Sequence, residues 1–506
     1  MNNNAKKEAE VVQSAISQGF KKLSNQTLIY GIGVVVTQLA AFVLIPVFTR
    51  IFSPAEYGVI DAITVFSSLV FLFLMMGLDS ATLRYYFDSE DNKERLKIIN
   101  TAFWFLFLIS TIICGLLSFF SPSISLLIFK TEAYSSIFRI VFLGIPFALL
   151  LEFSKGILRL KFASWRYNFA SFTNFFIRVG LAIYLVAILR QGIIGNFYSI
   201  LAGALIAFFL AIFFIKNDLK FKFSIFYLKK MICFGLPLVL TGLVLWAVVS
   251  SNRFFFIRIS ALEELGLYSV GSRISNLLLF FISVFQLGWS PFVMSIYKNN
   301  YFSRLMAKTL IYFMILMSFF ALVISVFSYE IIKIISSPPY IDSYKIIGIL
   351  SIGIVFYAAT SVVGSGISLS KKTYFFPISA LCAGILNLIL NIVLIPRLGM
   401  FGAAIGVSVS YFVLVTLYYI FAQRYWPIDY ELGKVFKIIL ICCVLIGFSY
   451  FINTGNLIFD ILFKFIIVFL FPILIFLFRI FSQSELDLFK FYSTKLKNLI
   501  VEKLQL

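Results

Sequence analysis

Histidine is absent from all 506 residues. That removes imidazole acid–base catalysis, histidine metal sites and histidine pH sensing in one step. Charge is scarce too: 13% of the residues are charged, where a soluble chain carries roughly 25%. With 61% hydrophobic residues, too little polar material is left for a water-facing surface. The five cysteines, Cys114, Cys233, Cys382, Cys442 and Cys443, all lie in apolar stretches. They have neither metal-ligand spacing nor the loop placement of a disulfide framework, so they read as small buried apolar side chains, and no metal or catalytic site is expected. No G-x-x-x-x-G-K-[ST] phosphate loop occurs, which leaves ATP-driven transport without its motif. No A-x-A-like cleavage site closes a short apolar region, so no removable signal peptide is expected. Loops between apolar runs stay below about 20 residues, which leaves no room for a soluble domain.

What remains is a series of apolar runs, each near the 20 residues that a spanning helix needs. They lie at 26–49, 58–82, 98–120, 137–155, 169–189, 193–215, 231–251, 266–290, 305–328, 345–369, 374–395, 402–421, 435–452 and 457–479. The pattern predicts an all-α polytopic membrane protein of about 14 transmembrane helices. The net charge of +20 raises nucleic acid as a partner, but its placement argues otherwise. With the N-terminus placed in the cytoplasm, 30 of the 42 basic residues fall on inside segments and nine on outside ones, with Arg178, Arg273 and Lys464 inside spans. That alternation is the positive-inside pattern and puts both termini in the cytoplasm, with anionic lipid as the partner of the loops.

The chain also repeats itself. Arg50-Ile51-Phe52-Ser53-Pro54-Ala55-Glu56-Tyr57-Gly58 aligns with Arg258-Ile259-Ser260-Ala261-Leu262-Glu263-Glu264-Leu265-Gly266 at an offset of 208 residues, with Arg, Ile, Glu and Gly in step. Each copy follows the first span of a six-span block. Six spans are an even number, so the blocks share one orientation and form a parallel repeat about an axis along the membrane normal, with a site expected between them. The expected divisions are a cytoplasmic segment 1–25, a six-helix bundle over 26–215, a second over 231–421, two further helices within 435–479 and a basic cytoplasmic tail 480–506.

Asn25, Gly31, Pro46, Thr49, Arg50, Ser53, Pro54, Glu56, Tyr57 and Gly58, followed by Gly77-Leu78-Asp79, form a pattern that resembles the polysaccharide-export group of the MOP (multidrug/oligosaccharidyl-lipid/polysaccharide) exporter superfamily, whose Wzx-type O-antigen flippases share a MATE-like fold. The resemblance covers the chain in span number and repeat, while the motif itself is confined to the first two spans. It implies two six-helix bundles enclosing a V-shaped cavity, with two helices appended. It further implies a bacterial plasma-membrane flippase that moves an undecaprenyl-pyrophosphate-linked oligosaccharide to the outer leaflet by alternating access, alongside other polysaccharide-assembly proteins. The motif says little about which glycan is moved.

Charges at membrane depth are costly and face a cavity or a partner. Arg178, with Asn174 one turn away, and Arg273, with Asn276 nearby, lie in different halves. Converging on a cavity they would suit a pyrophosphate, because guanidinium offers a fork of donors that stays charged; alternatively each pairs with an acid such as Asp61, Glu152 or Asp79 and staples helices. Arg50, Arg253 and Arg258 lie near outer helix ends, where they either receive the pyrophosphate or contact headgroups and cap helix C-termini. Asp61, Asp79 and Glu152 are the candidates for H⁺ or Na⁺ coupling, with a helix-end role as the alternative for Asp79; no other cofactor is expected. Asn387, Asn391, Gln38 and Gln286 either bond between helices or hold sugar hydroxyls. A cation-coupled drug exporter of the same superfamily is the competing function and predicts an acidic cavity. A membrane-embedded glycan polymerase or ligase would need an Arg/His constellation on a large loop, and the chain has neither.

Overall fold

The computed structural model describes residues 42–259, 261–297, 301–370, 372–451 and 457–481. The expected segment 1–25, most of the expected first span 26–49 (Gln38 included) and the expected tail past Phe481 lie outside the described residues. Among the described residues there is no strand, and twelve helices are long and apolar enough to cross a membrane. Eleven of these coincide with one expected span each. The other, Phe375–Tyr425, holds two, because the chain reverses at Gly399 (φ 54°, ψ −128°). A Cβ on Gly406 would sit 3.1 Å from Asn391 Oδ1, whereas residues 15 apart on a straight helix lie about 22 Å apart. Glu264 holds the reversal: its carboxylate accepts the Met400 N–H at 2.7 Å and fills the space into which a side chain at 399 would project.

The outward surface is what a bilayer selects. Phe119 is 78% and Leu127 84% exposed, a burden in water but no cost against lipid tails, which are as apolar as the side chains themselves. Inside, three cores form among the described residues; one joins Ala62 to Phe256, Leu265 and Tyr268 across the halves, and the other two are each centred in one half. One gathers Ile63, Phe138, Phe142, Leu149 and Ala207 of the N-terminal half. The other joins Met314, Met317, Val362 and Ile367 of the C-terminal half to Cys442, Leu445 and Phe471 of the two appended helices, Leu432–Ser449 and Leu457–Leu477. The second of these is fastened to the Ser328–Ile335 helix by a buried ion pair, Lys464 Nζ to Glu330 Oε1 at 2.6 Å. Of the cysteines, Cys114 and Cys442 are buried as expected, but Cys233 and Cys382 are exposed and Cys443 half-buried, since their helices turn those faces outward.

Residues 216–224 connect the halves and are pinned to the N-terminal one. Asn100 donates to the Asp218 carbonyl at 2.8 Å and accepts the Lys220 N–H at 2.6 Å. Thr101 accepts the Ser224 N–H at 3.0 Å, Trp104 stacks on Phe221 with centroids 4.3 Å apart, and Lys161 pairs with Asp218. Asn100→Leu leaves a partly buried acceptor and donor unpaired and is expected to cost about 1 kcal/mol. Thermal unfolding of the purified protein reads it, and an unchanged midpoint would mean the linker has other anchors.

Candidate functional site

The motif that opens the second span is largely helix-starting chemistry. Ser53 accepts the Glu56 N–H at 3.3 Å while Glu56 accepts the Ser53 N–H at 2.9 Å, with Pro54 in the first turn. This is a capping box, satisfying two donors that a helix start leaves unpaired. The preceding residues reach into the other half. Arg50 donates to the Pro46 carbonyl at 3.0 Å and the Ile334 carbonyl at 3.4 Å. The Tyr340 hydroxyl donates to the Phe52 carbonyl at 2.9 Å, and Ser337 donates to the Thr49 carbonyl. Arg50 is therefore a tie between halves at one end of the bundle.

One turn inside that tie, the Pro54–Met75 and Leu262–Ser275 helices cross with backbones in contact. A Cβ on Gly266 would overlap the Pro54 carbonyl oxygen, and one on Gly58 would overlap the Leu262 carbonyl oxygen. The two contacts are reciprocal at the 208-residue offset, since Pro54 corresponds to Leu262 and Gly58 to Gly266. The same helix ends at Met76 and Gly77, both left-handed (φ 50° and 65°). There a Cβ on Gly77 would come within 2.6 Å of the Gly235 carbonyl oxygen. The halves thus touch glycine-on-backbone at both ends of one helix.

Between these crossings lies a charge cluster built from both halves. Asp61, one turn past Gly58 on the same face, is 6% exposed. Arg253 Nε approaches its Oδ2 at 3.0 Å, and Arg273 Nη2 its Oδ1 at 3.5 Å. Arg253 also donates to the Val249 carbonyl and to Asn252 Oδ1, and lies over the Tyr268 ring; Arg273 lies over the Tyr57 ring at 5.0 Å. Arg178 is half-buried within electrostatic reach of Arg273, and its Nε is closed off from solvent with no hydrogen-bond partner. Gly203 lets the Gly192–Ile215 helix lie directly on the Asn174–Arg178 face, since a Cβ there would come within 2.9 Å of Asn174 Oδ1 and 3.1 Å of Arg178 Cβ. Past Arg178 the helix widens into a π-helix over Ile183–Ile188. Two guanidiniums face one carboxylate and a third, Arg178, lies within electrostatic reach of Arg273, so the group carries two net positive charges.

The other candidates are not part of it. Arg258 and Asn276 are exposed at helix ends, and Asp79 is exposed in the first turn of Leu78–Asp88, where a carboxylate meets the positive end of the helix dipole. Glu152 pairs with Lys155 at 2.6 Å. Asn387 and Asn391 bond to each other at 2.8 Å and to Ser251, between helices of the same half. Gln286 donates to Ser361 at 2.8 Å. The pairing of Arg253 with Asp61 was not anticipated; that of Arg273 with Asp61 is the helix-stapling alternative, and the glycine faces hold its signal, since Asp61 lies three residues past Gly58 and Arg273 seven past Gly266.

Residues 47–287 match a family described as polysaccharide biosynthesis protein. A protein of the Lsg locus of Haemophilus influenzae is 23% identical over 266 residues, which span 50% of this chain and 61% of that one. MJ1068, an uncharacterized membrane protein of Methanocaldococcus jannaschii, is 25% identical over 71% of this chain and 76% of its own length. Among solved structures, the lipid II flippase MurJ in an inward closed conformation is similar at a TM-score of 0.69 and 19% identity, over 88% of this chain and 98% of that one. An inward-facing MATE-family multidrug transporter of the MOP superfamily follows at a TM-score of 0.60 and 12% identity, over 81% and 99%. At such identities the likeness is one of fold. The family match covers residues 47–287, a little under half of the chain, and the fold is the one seen in MurJ and the MATE transporters.

Proposed function

We propose that the protein is a flippase carrying a polyprenyl-pyrophosphate-linked oligosaccharide from the cytoplasmic to the outer leaflet of a bacterial plasma membrane by alternating access. The observation that carries this reading is the Arg178–Arg273–Arg253–Asp61 cluster between the halves, positively charged and with the Arg178 Nε unsatisfied. A pyrophosphate would supply the acceptors that Arg178 lacks and compete with Asp61 for the looser of its two arginines, Arg273. Anion binding would thereby weaken a contact between halves, as a cycle that parts them at one end needs. A cation-coupled exporter of organic cations is disfavoured by the same charge, which repels such a substrate.

Arg178→Gln and Arg273→Gln are each expected to lower surface glycan at least tenfold at matched protein level, since a charge-assisted hydrogen bond is worth about 1.5–3 kcal/mol. Lipid-linked glycan should accumulate on the cytoplasmic side. Wild-type export in both variants would remove the arginines from the substrate path.

A further inference from the structure

A polar cavity of about 390 Å³ opens away from the arginine cluster, where the Phe302–Val326 and Leu432–Ser449 helices begin and the Leu457–Leu477 helix has ended. Its walls carry charge of both signs. Arg304 and Lys308, one turn apart on one helix face, form one wall, and Asp429 belongs to the turn before Leu432. Glu431 and Lys434 also line the cavity but satisfy each other at 2.5 Å. Arg304 and Asp429 share this cavity, yet neither has an ion-pair partner among the described residues, and they do not pair with one another. An arginine and a carboxylate held apart across a cavity leave room for a group that carries both charges.

The cavity also continues into apolar surface. Tyr312 and Ile480 line it, and Phe481 lies parallel to Tyr312 with ring centroids 6.3 Å apart. Further along the same two helices, Leu316 is 47% and Ile473 58% exposed. A free anion would leave Asp429 facing like charge and this wall uncovered. A free amine would leave Arg304 unmatched. An anionic headgroup without an amine meets the same objection at Asp429.

We propose that the cavity binds the headgroup of a phosphatidylethanolamine lipid, with its phosphate on Arg304 and Lys308, its primary ammonium on Asp429 and its acyl chains along the exposed faces of the Phe302–Val326 and Leu457–Leu477 helices. Basic pockets between transmembrane helices hold lipid headgroups through such contacts; the carboxylate selects this one.

The test is native mass spectrometry of the full chain in detergent with phosphatidylethanolamine, phosphatidylglycerol and phosphatidylcholine of identical acyl chains, and inorganic phosphate as competitor. Phosphatidylethanolamine is expected to bind about tenfold tighter than either other lipid, the worth of one charge-assisted hydrogen bond. Asp429→Asn should erase that preference and raise phosphatidylglycerol binding. Arg304→Gln should weaken all three lipids, and Arg304→Lys should retain them. Phosphatidylglycerol binding as tightly as phosphatidylethanolamine, a preference that survives Asp429→Asn, or displacement by equimolar inorganic phosphate would overturn the assignment. Both positions are exposed, and unchanged thermal midpoints confirm that the variants are folded. Export by the Arg178 and Arg273 variants is a separate readout, so either reading can fail alone.

Discussion

Replacing Gly266 with alanine is expected to stop transport and to leave the halves parted at the end where the Pro54–Met75 helix begins. The added Cβ would overlap the Pro54 carbonyl oxygen and come within 2.9 Å of Pro54 Cα. Both are backbone atoms of a capped helix start, which no side-chain rotation relieves, so the helices themselves must separate. Gly58→Ala meets the Leu262 carbonyl oxygen and should behave the same way. Gly235→Ala, which meets the Met76 carbonyl oxygen, should part the halves at the opposite end instead. A cysteine at Ser269, buried in the wild type, reads the difference once the five native cysteines are replaced. It should react with a water-soluble thiol reagent in the Gly266 variant and stay protected in the parent. Protection in both, with normal export, would mean the crossing tolerates a methyl group.

The second large effect is expected at the appended helices. Lys464 is 5% and Glu330 8% exposed, and Glu330 Oε2 has no partner of its own. Removing one member of such a pair leaves an uncompensated buried charge, at a cost of about 3–5 kcal/mol, whereas replacing both can be close to neutral. Lys464→Met and Glu330→Gln should each lower the thermal midpoint strongly, and the double variant should recover most of the loss. Additive losses in that double-mutant cycle would show the two residues act independently. The proposed headgroup cavity is lined by the starts of the Phe302–Val326 and Leu432–Ser449 helices and not by this pair, so its lipid preference should survive the double variant.

Much of the fold was legible because a bilayer leaves few choices: backbone groups in hydrocarbon must bond within helices, so a run of about 20 apolar residues is read as a span. The reversal at Gly399 was legible as a gap between two spans, but not that Glu264 holds it. The offset copy of that residue, Glu56, caps its own helix, so one repeated letter does two different jobs. Of the candidate site, Arg178 and Arg273 announced themselves as charges inside apolar runs. Arg253 did not, because a charge at the end of a run reads equally as an anchor for headgroups. Arg50 and Asp79 belonged to the sharpest motif, yet they lie at the rim, where the motif serves to start and stop helices.

Composition and spacing along the chain are enough to read the helices, the membrane as solvent and a pair of glycines 208 residues apart. Which charges meet is settled in the folded molecule. Asp61 joins Arg253 and Arg273 across 192 and 212 residues because Gly58 and Gly266 bring two helix backbones into contact one turn away. No local rule carries that information: pairing across halves depends on how closely two helices approach, and here that distance is set by the absence of a side chain.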